Sequence, residues 1–104
     1  MSIELIRSCS KNLKFSNHAK EEMMSEEFGI IWEHETREAI EDGEIIEEYP
    51  RDRPYPSFLV FGKTKLDRPL HVVCAPVGVE QILVIITVYQ PNPSQWTDYR
   101  RRKL

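Results

Sequence analysis

Between Gly43 and Pro91 the chain carries four short runs rich in β-branched and aromatic residues, and no gap between them is long enough to hold a crossover. Parallel neighbours need a connection of about a dozen residues or more, so these runs are expected to pair antiparallel. They are Glu44–Tyr49, Ser57–Thr64, Leu70–Ala75 and Gln81–Gln90. The first gap, Pro50-Arg51-Asp52-Arg53-Pro54-Tyr55-Pro56, holds three prolines in seven residues. Prolines lack a backbone donor and push their neighbours toward extended backbone, so this gap reads as a stiff, basic, aromatic loop.

Ahead of Gly43 the apolar spacing is helical. Ser16 and Asn17 are good N-cap residues, and Ala19 and Met23 lie one turn apart in a run of strong helix formers, which predicts a helix from about Asn17 to Glu27. Gly29 stops it. Thr36, Ala39 and Ile40 predict a second helix over roughly Glu33 to Asp42, ended by Gly43. Residues 1–15 show no strong period and read either as an edge strand or as a loosely attached arm. The expected plan is one α+β domain over 1–104: the arm or edge strand (1–15), two helices packed on the sheet (16–43), a four-stranded antiparallel sheet (44–90), and a basic tail (91–104) in which Ser94 caps a short turn carrying Trp96 and Tyr99.

The longest apolar run, Ile82 to Val88, is far short of the ~20 residues that span a bilayer, and the start MSIELIRS lacks the features of a signal peptide. A soluble cytoplasmic protein with no membrane partner is expected. Cys9 and Cys74 have no metal-site spacing and read as free thiols, with Cys74 buried. The net charge of −3 is uneven, acid dominating from Glu21 to Glu48 and Arg100-Arg101-Arg102-Lys103 being purely basic. A nucleic acid would meet this chain only on the face the tail reaches; a solvated terminus is the plainer reading of four charges.

Alternation along the last two strands sets out the candidate chemistry. On the fourth strand Ile82, Val84, Ile86 and Val88 form an apolar row expected to face the helices, while Leu83, Ile85, Thr87 and Tyr89 point the other way. His71 shares its face with Val73 and Ala75. A hairpin loop of three residues (Val77–Val79) or five (Pro76–Glu80) puts His71 on the face of Thr87 and Tyr89, whereas a loop of two or four puts it among the apolar row. An imidazole and two hydroxyls on one open face suit proton transfer. A half-buried packing histidine is the equal alternative. His18 and Glu22 at i, i+4 supply only two metal ligands, so no metal and no cofactor are expected. Arg51 and Arg53 interleave with Tyr49 and Tyr55 as a nucleic-acid groove would, or as a surface loop would.

Taken in order, Ser16-Asn17-His18-Ala19, Gly43-Glu44-Ile45-Ile46-Glu47-Glu48-Tyr49-Pro50, Pro54-Tyr55-Pro56-Ser57, Arg68-Pro69-Leu70-His71-Val72-Val73 and Ile85-Ile86-Thr87-Val88-Tyr89-Gln90-Pro91, followed by Trp96, resemble the domain-of-unknown-function 4258 family. That family looks like part of the RelE-like and barnase-like group, which implies a ribonuclease fold, metal-independent RNA cleavage, and a toxin held by an antitoxin protein. In such chemistry a base takes the 2′-OH proton, the oxygen attacks phosphorus, and an acid protonates the leaving 5′ oxygen. The resemblance implies His71 as base or acid, Tyr89 and Thr87 on the phosphate, His18 as a second proton carrier, and Arg51, Arg53, Arg68, Arg100 and Arg101 as phosphate-binding cations. The family pattern reads H-A-x-x-R-M on the first helix, whereas here the arginine position is Glu22, an anion where a phosphate site favours a cation. A non-catalytic protein-interaction domain is the competing expectation, supported by Glu22, the negative net charge, and Trp32 and Trp96 read as exposed.

Overall fold

A computed structural model describes residues 2–104, so the Met1 end of the predicted arm lies outside the described residues. Ten elements follow one another: α1 (Ser2–Cys9), β1 (Leu13–Phe15), α2 (Asn17–Met24), α3 (Glu33–Asp42), β2 (Glu44–Tyr49), β3 (Ser57–Lys63), β4 (Pro69–Val77), β5 (Ile82–Tyr89), β6 (Trp96–Thr97) and β7 (Arg101–Arg102). The α+β plan holds, with a larger sheet than the four strands expected. Its order is β1-β5-β4-β3-β2, and β1 pairs parallel to β5 at the edge while the other pairs are antiparallel.

Residues 2–15 thus hold the edge strand, preceded by a third helix, rather than an arm. Ile6 and Cys9, one turn apart, turn inward and are fully buried, and Glu4 and Arg7 suit the two ends of the helix dipole. Arg7 Nη2 donates to the Gly43 carbonyl at 3.0 Å, and Arg37 Nη1 donates to the Ser10 carbonyl at 2.8 Å, so α1 is tied to α3 at both levels. Ser16 caps α2 by accepting from the Ala19 N–H at 3.0 Å. That helix ends at Met24, three residues before the predicted Glu27. At the start of α3 the Glu35 carboxylate reaches back to accept from the Trp32 N–H at 2.9 Å, half of a capping box, with no cap bond from the Trp32 side chain.

All three helices lie on one face of the sheet. The core there joins Ile6, Cys9, Ala19, Met23, Ala39 and Ile40 from helices to Val60, Leu70, Val72, Cys74, Leu83, Ile85 and Val88 from strands. Cys9 and Cys74 are both free and buried; burial pushes the Cys74 thiol up to about 12, so it packs as a small apolar group.

The apolar row of β5 does not run as alternation predicts. Val77 pairs with Ile82, so the hairpin loop is the four residues Gly78–Gln81, the length that would put His71 among the apolar row. A bulge cancels the slip. Cys74 pairs with Ile85 but Val73 pairs with Thr87, so Ile86 is an extra residue, and beyond it His71 stands directly across from Tyr89. Leu83 and Ile85 therefore face the helices together with Val88, while Ile82, Val84 and Ile86 are only partly buried.

Past Phe15 the outer edge of β5 has no strand beside it among the described residues, and side chains of α2 and of its two flanks satisfy it. Ser16 donates to the Ile86 carbonyl at 3.1 Å, Glu22 Oε1 accepts from the Val88 N–H at 2.9 Å, and Glu26 Oε1 accepts from the Gln90 N–H at 2.8 Å. Glu22, read as an unfavourable anion at a phosphate site, is an acceptor for a sheet edge. Burial raises its pKa even though the Val88 N–H favours the ionised form. Glu22→Ala, which strands that N–H, is expected to lower stability by about 1 kcal/mol in urea unfolding, and Glu22→Gln, which keeps an acceptor, to retain most of it.

Candidate active site on the second face of the sheet

The face opposite the helices carries Glu44, Phe61, His71 and Tyr89 in one row and Glu47, Leu59, Val73 and Thr87 in the next. It is not open. Residues 91–104, expected as a tail, fold back as the β6–β7 hairpin, in which Trp96 pairs with Arg102 and Thr97 with Arg101. Trp96 is 5% exposed, so the expectation of an exposed Trp96 fails because the indole stands edge-on over the His71 ring, with centroids 4.4 Å apart at 89°.

His71 is fully buried between Phe61, Tyr89 and Trp96. Its Nε2 lies 2.6 Å from the Tyr99 carbonyl oxygen and its Nδ1 3.0 Å from the Tyr89 hydroxyl. A carbonyl only accepts, so Nε2 carries the proton and Nδ1 accepts from the Tyr89 O–H. Burial pushes His71 down to about 4, despite the Tyr99 carbonyl, and pushes Tyr89 up to about 12. At neutral pH the pair is one uncharged, fully satisfied unit. Tyr99 presents its carbonyl from a left-handed backbone, φ 59°, which a bulky residue adopts only when its surroundings hold it there. The Phe61 ring at 5.7 Å supplies part of that hold.

Beside this unit lies a charged cluster contributed by β2 and β7. Arg102 grips the Glu47 carboxylate with two donors, Nε to Oε2 at 3.0 Å and Nη2 to Oε1 at 3.2 Å, and stacks 4.7 Å above the Trp96 ring. The Tyr49 hydroxyl donates to Glu47 Oε1 at 2.6 Å. Burial alone would raise the Glu47 pKa; the hydrogen bonds from Arg102 and Tyr49 outweigh it and hold the carboxyl below its ordinary value. Burial and the adjacent Glu47 push Tyr49 upward, and the hydrogen bond to Glu47 pushes Arg102 upward. Arg100 repeats the pattern one row away, pairing with Glu44 and Asp98 and lying 4.8 Å from the Phe61 ring centroid.

Of the residues singled out in the sequence, His71, Tyr89 and Thr87 do share a face, with Thr87 directly across from Val73. His18 does not join them. It stands on the exposed side of α2, 3.7 Å from Glu22. Arg68 is also elsewhere: its guanidinium is engaged by the Gly29 and Ile30 carbonyls, Glu35 and Gln90, at 2.5 to 3.4 Å, so it fastens the segment before α3. Arg51, Arg53 and Arg101 are exposed, Arg53 beside a shallow cavity with Tyr55, Ala75, Val84 and Ile86. Among the described residues no group of three His, Cys, Asp or Glu side chains is placed to hold a metal ion, and no helix is long and apolar enough to cross a membrane.

Glu47 and Arg102 were not singled out in the sequence, and Tyr49 only as a ring beside Arg51 and Arg53. Glu-x-Tyr at a two-residue spacing puts both side chains on one face of a strand, a signal that was available. Arg102 had none, since it reaches Glu47 only through the hairpin.

Residues 15–90 match the family described as Domain of unknown function (DUF4258), nearly three quarters of the chain. The chain belongs to that family. No curated protein and no solved structure matches it. The DUF4258 segment contains Glu47, Tyr49, His71, Thr87 and Tyr89 and stops before the hairpin. The Glu47 carboxylate, the Tyr49 and Tyr89 phenols and the His71 imidazole thus belong to the DUF4258 segment, while the cover and Arg100 and Arg102 come from outside it.

Proposed function

We propose that this protein is a metal-independent endoribonuclease of the toxin type, acting in the cytoplasm and neutralised by an antitoxin protein. The observation that supports it is the Tyr49–Glu47–Arg102 cluster: an ionised carboxylate bonded to a phenol and a guanidinium, one-quarter exposed, on a face edged by further arginines. Glu47 takes the ribose 2′-OH proton and the freed oxygen attacks the adjacent phosphorus. As the bond to the 5′ oxygen breaks, Tyr49 gives that oxygen its proton and recovers one from the Glu47 carboxylic acid, so the product is a 2′,3′-cyclic phosphate. Arg102 neutralises the charge gathering on the phosphoryl oxygens. His71, with both nitrogens engaged, serves as a positioning residue that holds Tyr89 and the Tyr99 turn. Arg51, Arg53 and Arg101 lie exposed for the RNA backbone.

The expected result is cleavage of a single-stranded oligoribonucleotide in the presence of EDTA, leaving 2′,3′-cyclic phosphate ends. Glu47→Gln should slow it at least about tenfold with the circular dichroism unchanged. RNA left intact by stoichiometric wild-type protein would overturn the proposal. That outcome would favour a non-catalytic interaction domain, a reading supported by the exposed Met24, Phe28, Ile30 and Trp32.

A further inference from the structure

Four large apolar side chains stand in solvent within nine residues: Met24 (73% exposed), Phe28 (45%), Ile30 (44%) and Trp32 (58%). Single exposed apolar residues are ordinary, whereas a contiguous group marks a contact surface. Met24, Ile30 and Trp32 line a groove of ≈ 380 Å³ with Met23 and Ile31, between α2 and the start of α3.

The backbone beneath them cannot collapse to hide them. The Ile31 N–H donates to the Met23 carbonyl at 2.9 Å, and Arg68 holds the Gly29 and Ile30 carbonyls at 2.5 and 2.9 Å. Extended backbone then turns Ile31 inward (2% exposed) and Ile30 and Trp32 outward. An apolar surface held in place before its partner arrives loses little freedom on binding.

Charge narrows the occupant. Of the charged side chains from Lys20 to Glu33, Glu22 and Glu26 are engaged at the β5 edge. That leaves the exposed Glu21, Glu27 and Glu33 against the exposed Lys20, with Glu33 and Lys20 lining the groove itself together with its apolar walls, so the remaining charge is net acidic. A phosphate backbone would be repelled, and a second copy would bring acid to acid. Strand addition is also unsuited, because Glu22 of α2 and Glu26 just beyond it already occupy the nearby β5 edge. We propose that this groove docks an amphipathic helix of a partner protein, its apolar row seated between Met24 and Trp32 and its flanks rich in lysine or arginine. Met23 and Met24 give the walls the adaptability such a row needs. The inference does not depend on RNA cleavage.

Two synthetic peptides of about 18 residues, with the same leucine row at helical spacing and either lysine or glutamate at the other positions, test it against the full chain. The lysine peptide should shift Trp32 emission to the blue and bind at least about tenfold more tightly than the glutamate peptide. Met24→Ser with Ile30→Ser removes apolar contact without adding charge, and should weaken the lysine peptide at least about tenfold while the unfolding midpoint holds, both side chains being exposed. Equal binding of the two peptides, binding of neither, or wild-type dimers that the double variant dissociates would each overturn the inference. The double variant should cut RNA as the wild type does, so failure of either reading is visible without the other.

Discussion

Gly62→Ala should destabilise the protein by about 3 kcal/mol or more, enough to leave a small domain largely unfolded at moderate urea. A Cβ on Gly62 would lie 1.8 Å from the Ala39 carbonyl oxygen and 2.6 Å from its carbon, both backbone atoms. No rotamer change relieves that overlap, so α3 must lift from β3. The same helix carries Thr36, Ala39 and Ile40 into the core, and lifting it opens that packing. Gly78→Ala is the control, since its Cβ would meet only Leu5 Cδ1 at 3.5 Å, an ordinary contact. Urea unfolding of the two variants should separate them widely; similar midpoints would show that α3 and β3 are not in the close contact described.

Acidification should remove up to about 3 kcal/mol of stability through His71 alone. The folded chain holds this imidazole neutral down to about 4, whereas an unfolded histidine takes up its proton near 6.5. Between those values the unfolded state binds more protons, so stability is intact above about 6.5 and falls steadily toward pH 4. Most carboxylates remain ionised in the upper part of that window, which makes pH 6.5 to 5 the informative interval. Chemical unfolding across it should show a slope near one proton in the wild type and a flatter line in His71→Gln. Parallel lines would mean that the Tyr99 carbonyl and the Tyr89 hydroxyl do not lock the ring as a neutral group.

How far the fold was legible varies with how local its causes are. The cap at Ser16, the stop at Gly43 and the three prolines between Tyr49 and Ser57 act within a few residues, and α2, α3 and the four main strands follow from them closely. The short α1 and β1 are different. Neither has propensity enough alone, and α1 is anchored through Arg7 to Gly43 and through Arg37 to Ser10, while β1 borrows its ladder from β5. The grouping of His71 with Tyr89 and Thr87 was anticipated from alternation, though by a different register from the one found. Half-burial of His71 stood as the equal alternative, but its full burial was not foreseen, because the cover consists of Trp96, Tyr99 and Arg102, residues whose composition looks like a solvated basic tail. Cations on such a tail are read as free until their acidic partners, here Glu44 and Glu47, are placed in space.

The β4–β5 hairpin contains a four-residue turn and one unmatched residue at Ile86. A change of one residue in either reverses which side of the sheet every later residue occupies, and a matched change in both restores the assignment. Their lengths are therefore constrained as a pair by parity. In a protein of this architecture, losing one residue from the turn alone would send His71's partners to the opposite side, and only a matching loss within the strand would bring them back. Insertions and deletions in this hairpin should thus be tolerated as compensated doublets, which keep the eighteen-position separation of His71 and Tyr89 even.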